Sequence, residues 1–179
     1  DVKVNDPFKG VELVRAYEAG VWRDFDRTVL IGPKDLAAVA EACRAEGVPE
    51  IDAAAGNVVW GPHGVDTERM APRPEVAVRP DSVVMTGAMR YPPNAQGALW
   101  LAAEVWPRIR AARPAARLAI VGRDPPPEVV ALNGRDGISV TGTVPDPADW
   151  TAAAAVCVAP IRAAAGLQNK LLEYMAMGR

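Results

Sequence analysis

The strongest constraint on the fold is a regular alternation in the second half of the chain. The short apolar runs Ser82-Val-Val-Met-Thr86, Arg117-Leu-Ala-Ile-Val121, Ile138-Ser-Val140 and Ala155-Val-Cys-Val-Ala-Pro160 alternate with segments of helical period. Strands bounded by helices of this length predict a parallel α/β sheet with right-handed crossovers. Three of the runs close on a glycine (Gly87, Gly122, Gly142) and the fourth on Pro160. In such sheets ligands bind outside the carboxyl ends of the strands, so these four positions mark where a site belongs.

The helices between them have their own signatures. Asn94 is placed to cap a long helix bearing Leu99, Ala103, Trp106 and Ile109, and Pro107 should bend or divide that helix. The prolines at 125–127 start a short helix. Asp146-Pro147-Ala-Asp149 combines an N-cap, a proline at the first helical position and an acid in the first turn.

The first half shows the same alternation on a smaller scale. Val11, Val14, Tyr17, Val21 and Phe25 recur at three- and four-residue steps, predicting an amphipathic helix over roughly 9–25. Thr28-Val-Leu-Ile31 reads as a strand, Leu36 to Cys43 as a helix ended by Gly47, and Asn57-Val-Val-Trp60 as a second strand. The stretch from Gly61 holds prolines at 62, 72, 74 and 80, which makes it the candidate domain boundary. The expected division is residues 1–75, the end of one domain plus a hinge, and residues 76–179, most of a second.

A chain of 179 residues accommodates one domain, or one domain with part of another. A net charge of -2 argues against a nucleic-acid partner, which needs a clustered positive face. No apolar run reaches the length of a membrane span. Cys43 and Cys157 fall in a helical and a strand pattern, as small core residues of a reducing compartment, and the expected location is cytoplasmic. One histidine and no cysteine pair at ligand spacing give no support to a metal site. Asp1 is not a natural start, and a helix ending at Arg179 ordinarily feeds another strand. The sequence is therefore expected to be an internal fragment.

The chemistry concentrates in the last segment. A strand runs through a glycine-containing turn into a helix, so unpaired N–H groups and the helix dipole converge on one point and favour an anion. Arg162 stands on the loop, and Asn169, Lys170 and Glu173 project from neighbouring positions of the helix. Leu167, Leu171, Leu172 and Met175 are expected to cover its other side. Cations beside an anion site suggest a phosphate or diphosphate. A carboxylate there can bind the vicinal hydroxyls of a ribose, and the lysine can neutralise a leaving diphosphate. Arg90, after the first strand of the second domain, is a further phosphate candidate. His63, in the hinge, reads better as structural or solvent-facing. No Gly-x-Gly-x-x-Gly follows a strand, and neither a P-loop nor a Gly-x-Ser-x-Gly elbow is present, which weakens dehydrogenase, NTPase and hydrolase readings.

Two segments carry a family resemblance. Gly61-Pro-His-Gly-Val-Asp66-Thr-Glu-Arg-Met resembles the Pro-Asn-Gly-Val-Asp-Thr hinge of glycosyltransferase family 4 (group 1) enzymes. Gly166-Leu-Gln-Asn-Lys170-Leu-Leu-Glu173-Tyr-Met-Ala-Met-Gly178-Arg179 resembles their donor-site helix. The match is closest to sugar transferases associated with exopolysaccharide (PEP-CTERM-type) systems. The resemblance implies a GT-B architecture, two Rossmann-like domains facing across a cleft, with the acceptor-side domain ending near residue 75. It implies a retaining transfer of a sugar from a nucleotide diphosphate to an acceptor hydroxyl, in polysaccharide or glycoconjugate biosynthesis, with no cofactor or metal. The implied partners are the nucleotide sugar and a glycan or lipid-linked acceptor, with peripheral membrane contact through parts outside this chain.

By position, Glu173 would hold the donor ribose and Arg162 or Lys170 would face the diphosphate. Gly166, Leu167 and Gln168 would offer backbone N–H groups to it, Asn169 and Gly122 would border the donor, and Val144 would lie near the base. Two features depart from the family pattern. Ala165 stands where a glutamate usually contacts the donor sugar, and the usual arginine and lysine after the first strand are missing, leaving Arg90 nearby. The fragment alone is expected to be inactive. The alternatives are a nucleotide-sugar epimerase or hydrolase on the same fold, or a non-enzymatic nucleotide-binding or scaffolding remnant.

Overall fold

The structure, a computed structural model, describes residues 7–52, 56–162 and 168–179, with side chains described from residue 12 onward. It comprises two compact units, Asp1–His63 and Gly64–Arg179.

In the first unit, α1 (Pro7–Val21) passes through a 3-10 turn (Trp22–Asp24) to β1 (Thr28–Leu30), α2 (Pro33–Ala45) and β2 (Val58–Trp60). The two strands are parallel, with Thr28 opposite Val58 and Leu30 opposite Trp60. Gly32 and Asp35 begin α2 together: the Asp35 carboxylate accepts from the Gly32 N–H at 2.9 Å. Ala19, Ala42 and Cys43 form the core, with Trp22, Val39 and Val48 against them. The amphipathic face expected from Val14, Tyr17 and Phe25 is not the buried one; all three are exposed. Small side chains let the helices approach closely, so α1 turns Ala19 toward α2, and the Cys43 thiol donates to the Ala19 carbonyl at 3.4 Å.

The second unit is built on four parallel strands in the order β5-β4-β3-β6. These are β3 (Ser82–Thr86), β4 (Arg117–Val121), β5 (Ile138–Gly142) and β6 (Val156–Cys157). Strand side chains alternate across the sheet, and both faces are apolar. Met85, Leu118, Ile120 and Ile138 point to one face, where they join Ala98, Leu101, Trp106 and Val129. Val84, Ala119 and Val121 point to the other, beside Ala154, Trp150 and Cys157. The last strand is shorter than the expected 155–160. Only Val156 and Cys157 pair, with Val83 and Val84.

The helix after β3 runs as α3 (Pro92–Trp100), a π-helical stretch (Leu101–Val105) and α4 (Trp106–Ala112). The division expected at Pro107 is therefore real, and it takes the form of a wider turn. Proline has no N–H for the carbonyl four residues back and its ring crowds that carbonyl, so a π segment just before it relieves both. The cap expected at Asn94 is not there. Tyr91 is the N-cap, and Pro92 and Pro93 supply the first helical positions. Prolines need no hydrogen-bond acceptor in a first turn and arrive with helical φ, so they outcompete Asn94 as a start signal. Asn94 is left inside the first turn, and it is buried.

After α5 (Pro127–Val130), α6 (Pro147–Ala153) begins as the sequence predicts. The Asp146 carboxylate accepts from the Ala148 N–H at 3.0 Å. Arg73 and Arg69 also pair with Asp146, and Arg73 with Asp149. The Ala148 N–H first, and then the Arg73 guanidinium, hold the Asp146 carboxyl below its ordinary range. The segment from Gly64 is fastened to the second unit by these pairs and by Met70 and Val76, which pack on Ala148, Ala152 and Met177. The chain ends in α7 (Asn169–Ala176), closed by Gly178 at φ 71°.

Among the described residues no helix is long and apolar enough to cross a membrane.

Candidate functional site

The strand order contains a reversal. The chain steps outward from β3 to β4 to β5, then returns to place β6 on the opposite side of β3. In doubly wound sheets the loops on either side of such a reversal diverge, and ligands bind in the crevice at the carboxyl ends of the strands. The loop after β3 leads to α3, and the segment after β6 leads to α7. Their contents decide what the crevice holds.

Lys170 is the one buried charged side chain among the described residues, 9% exposed. Its Nζ donates to Asn94 Oδ1 at 2.6 Å. Asn94 Nδ2 in turn donates to the Ala88 carbonyl at 3.0 Å, which fixes the orientation of the amide. The lysine can only donate and the carbonyl can only accept. Gly87 makes room for both side chains: a Cβ there would lie 2.7 Å from Asn94 Nδ2 and 3.1 Å from Lys170 Nζ. Burial pulls the Lys170 pKa down to about 8, against the opposing pull of the Glu173 carboxylate. A buried ammonium whose described acceptor is a neutral amide retains its charge and spare donors for an anion.

Gly122 closes the floor. Its φ is 155°, and a Cβ on it would come within 2.7 Å of the Gly87 carbonyl carbon and closer still to its oxygen. The Gly87 N–H bonds the Val121 carbonyl at 3.0 Å and the Gly122 N–H bonds the Gly142 carbonyl at 3.2 Å. Gly87 and Gly122, at the ends of neighbouring strands, thus let their backbones lie against one another at the carboxyl edge of the sheet.

The buried side of α7 differs from the expected one. Leu171 and Met175 are exposed, Met175 at 74%, whereas Lys170, Tyr174 and Met177 face inward. Their spacing of four and three residues is that of one helical stripe. Tyr174 anchors it: its hydroxyl accepts from the Thr86 N–H at 2.8 Å and shares a hydrogen bond with Thr86 Oγ1 at 2.9 Å. Burial pushes the Tyr174 pKa up to about 12. The end of β3 is thereby tied to the second turn of α7, which places Lys170 one turn earlier. Tyr174→Phe leaves a buried N–H without its acceptor, so it should cost about 1–3 kcal/mol in urea unfolding. An unfolding curve superimposable on the native one would contradict that anchoring role.

Asn169 and Glu173 do not share Lys170's surroundings. They line a depression of about 150 Å³ with Gly64, Val65, Asp66, Arg69 and Met70. Asp66 shapes its rim by accepting from the Glu68 and Arg69 N–H groups at 3.1 and 3.0 Å. Two adjoining environments result, one holding a buried cation and one presenting a half-buried carboxylate.

The other residues singled out from the sequence divide as follows. Arg162 is exposed and stacks over the Trp100 ring at 5.8 Å, an arrangement that positions its guanidinium beside α3. Arg90 is exposed in the loop after β3. Val144 packs on the Val84, Ala119, Val121 and Ala154 cluster, and Gln168 is the N-cap residue of α7 without a side-chain cap bond. Gly166, Leu167 and Ala165 lie outside the described residues. Asn94, Thr86 and Tyr174 complete the site and were not expected in it. The stripe Lys170, Tyr174, Met177 was readable at helical spacing, but the leucines and Met175 suggested the opposite face. Among the described residues no cluster of histidine, cysteine or acidic side chains could hold a metal ion.

Residues 80–179 match the family model described as glycosyl transferases group 1. Among solved structures, the crystal structure of TarM superposes with a TM-score of 0.64 at 13% identity, covering 99% of this chain and 33% of that one. The chain thus spans about a third of TarM's length, and the likeness is one of fold. The α/β class with parallel strands expected from the sequence is borne out. No curated protein matches the chain.

Proposed function

The chain belongs to the group 1 glycosyl transferases, and on that premise we propose that its second unit is the nucleotide-sugar side of a retaining glycosyltransferase. The observation that supports this most is the buried Lys170 at the crevice beside β3 and β6, held by a neutral amide.

In this reading the donor is a nucleotide-diphosphate sugar. The anomeric C–O bond to the diphosphate breaks, a C–O bond to the acceptor hydroxyl forms, and the hydroxyl proton leaves with the departing diphosphate. Lys170 stabilises the negative charge that grows on the leaving group, in a setting with little water to screen it. Glu173, in the adjoining depression, accepts from the vicinal hydroxyls of the donor ribose. The glycine-lined floor of Gly87 and Gly122 keeps the backbone low enough for the diphosphate to approach. No cofactor or metal enters the proposed chemistry. The finer assignment is to family 4, to the branch serving exopolysaccharide systems, with a glycan or lipid-linked acceptor and a cytoplasmic setting.

Calorimetric titration of UDP, GDP and ADP into the protein and into Glu173→Ala tests the reading. Micromolar binding of one nucleotide, weakened at least about 30-fold by the substitution, is expected; a carboxylate bonded to two hydroxyls contributes about 2–3 kcal/mol. If a well-folded protein binds none of the three, the donor-site assignment is wrong and a scaffolding role gains.

A further inference from the structure

We infer that Asn94 is a positioning residue that holds the Lys170 ammonium without a bonded carboxylate, so that an incoming diphosphate becomes its hydrogen-bonded counter-ion. This rests on the reading of the crevice as a site for a nucleoside diphosphate. It adds a residue that the sequence explained as a helix cap.

The geometry carries the inference in three steps. First, Asn94 cannot serve as a cap, because Tyr91 holds that position and the amide is buried inside the first turn of α3. A buried amide so placed needs partners, and it has two on opposite sides, Lys170 Nζ and the Ala88 carbonyl. Second, the space for this pair exists because residue 87 lacks a side chain. Three segments of the second unit thus converge on one ammonium group.

Third, the partner is neutral. A buried lysine is most simply stabilised by a carboxylate, which would cancel its charge and leave nothing for a ligand. Here an isosteric amide offers the same acceptor oxygen without the charge. The charged group that bears on Lys170 is Glu173, three residues on along α7, and no hydrogen bond joins them. The other inward groups of β3 and α7 near it, Thr86 and Tyr174, satisfy one another and do not bond the lysine. The amide therefore places the ammonium while leaving its field intact for an anion, the arrangement that electrostatic preorganisation requires.

Asn94→Asp is the decisive variant, since it keeps the shape and adds the missing charge. The chain has lysines only at 3, 9, 34 and 170, so the ε-methylene carbon signals of four residues can be followed by NMR, with Lys170→Met assigning the fourth. Expected are a rise in the Lys170 titration midpoint of at least one pH unit in Asn94→Asp and a loss of at least about tenfold in affinity for UDP and for inorganic pyrophosphate. Asn94→Ala should also weaken both ligands without raising the midpoint. An unchanged Lys170 titration in Asn94→Asp overturns the inference, as does undiminished binding by that variant. If the native protein binds neither ligand, the diphosphate reading fails on its own, and the lysine titration still decides whether Asn94 governs the charge. Should Asn94→Asp not fold, a tenfold weaker binding in Asn94→Ala with an unraised midpoint supports the inference, and equal binding defeats it.

Discussion

Gly122→Ala is expected to destabilise the second unit severely, so that it unfolds at far lower urea than the native protein. The added methyl has no place to go. It would meet the main chain of Gly87, whose own N–H is bonded to Val121, so neither strand end can retreat without breaking the β3–β4 ladder. The position also demands a φ of 155° that side-chain-bearing residues rarely adopt. Backbone clash and dihedral strain together put the loss at about 4 kcal/mol or more, a large part of the 5–15 kcal/mol that holds a domain together. Gly64→Ala is the control, because a Cβ there meets nothing within 4 Å. Circular dichroism during urea titration should show a native transition for Gly64→Ala and a midpoint lowered by more than about 1 M for Gly122→Ala. A Gly122→Ala midpoint close to the native one would mean that the strand ends are not packed as described.

Backbone contacts of this kind are the part of the site that no sequence pattern announces. That glycines end the strands was legible, since they follow apolar runs of strand length, and so was the parallel alternation itself, because period and segment length suffice for it. The Asp146 cap was legible too: an acid, then a proline, then an acid is a local signal answered by local N–H groups. What escaped were choices made by tertiary partners. Asn94 reads as a cap until Pro92 and Pro93 take the first turn, and only the arrival of Lys170 from α7, 76 residues on, gives the amide its purpose. The orientation of α7 escaped likewise. Leu171, Leu172 and Met175 outweigh Tyr174 on apolar surface, yet the Thr86 backbone rewards a buried hydroxyl and turns the helix. In α1 the small Ala19 displaced larger apolar residues from the interface because two helices could then come closer. Apart from the prolines that displace Asn94 as a cap, each difference comes from a polar or steric partner far away in sequence.

Lys170→Met should weaken diphosphate binding about a hundredfold without destabilising the fold, and this opposite movement of affinity and stability is the sharpest expectation for the site. The ammonium is buried and its pKa is drawn down to about 8, so folding favours its neutral form. Between about pH 8 and 10.5 the unfolded chain binds the proton and the folded one does not, so stability attributable to this group rises with pH across that window. Below it the charged lysine costs stability that methionine, of similar length and apolar, does not. The gain is offset by the lost partner of Asn94, which leaves Lys170→Met within about 1 kcal/mol of the native protein or above it at pH 7. Affinity moves the other way. An anion that pairs with a poorly hydrated ammonium loses about 2–3 kcal/mol when the charge is removed, roughly a hundredfold in Kd. The native protein should moreover bind UDP with nearly constant affinity up to about pH 8, then lose roughly tenfold per pH unit as the free site must take up a proton to bind. In Lys170→Met the residual binding should show no such fall. Calorimetry at pH 7, 8, 9 and 9.5 separates the cases, since a flat native profile would mean that the lysine does not meet the ligand as a cation, whatever else holds the diphosphate.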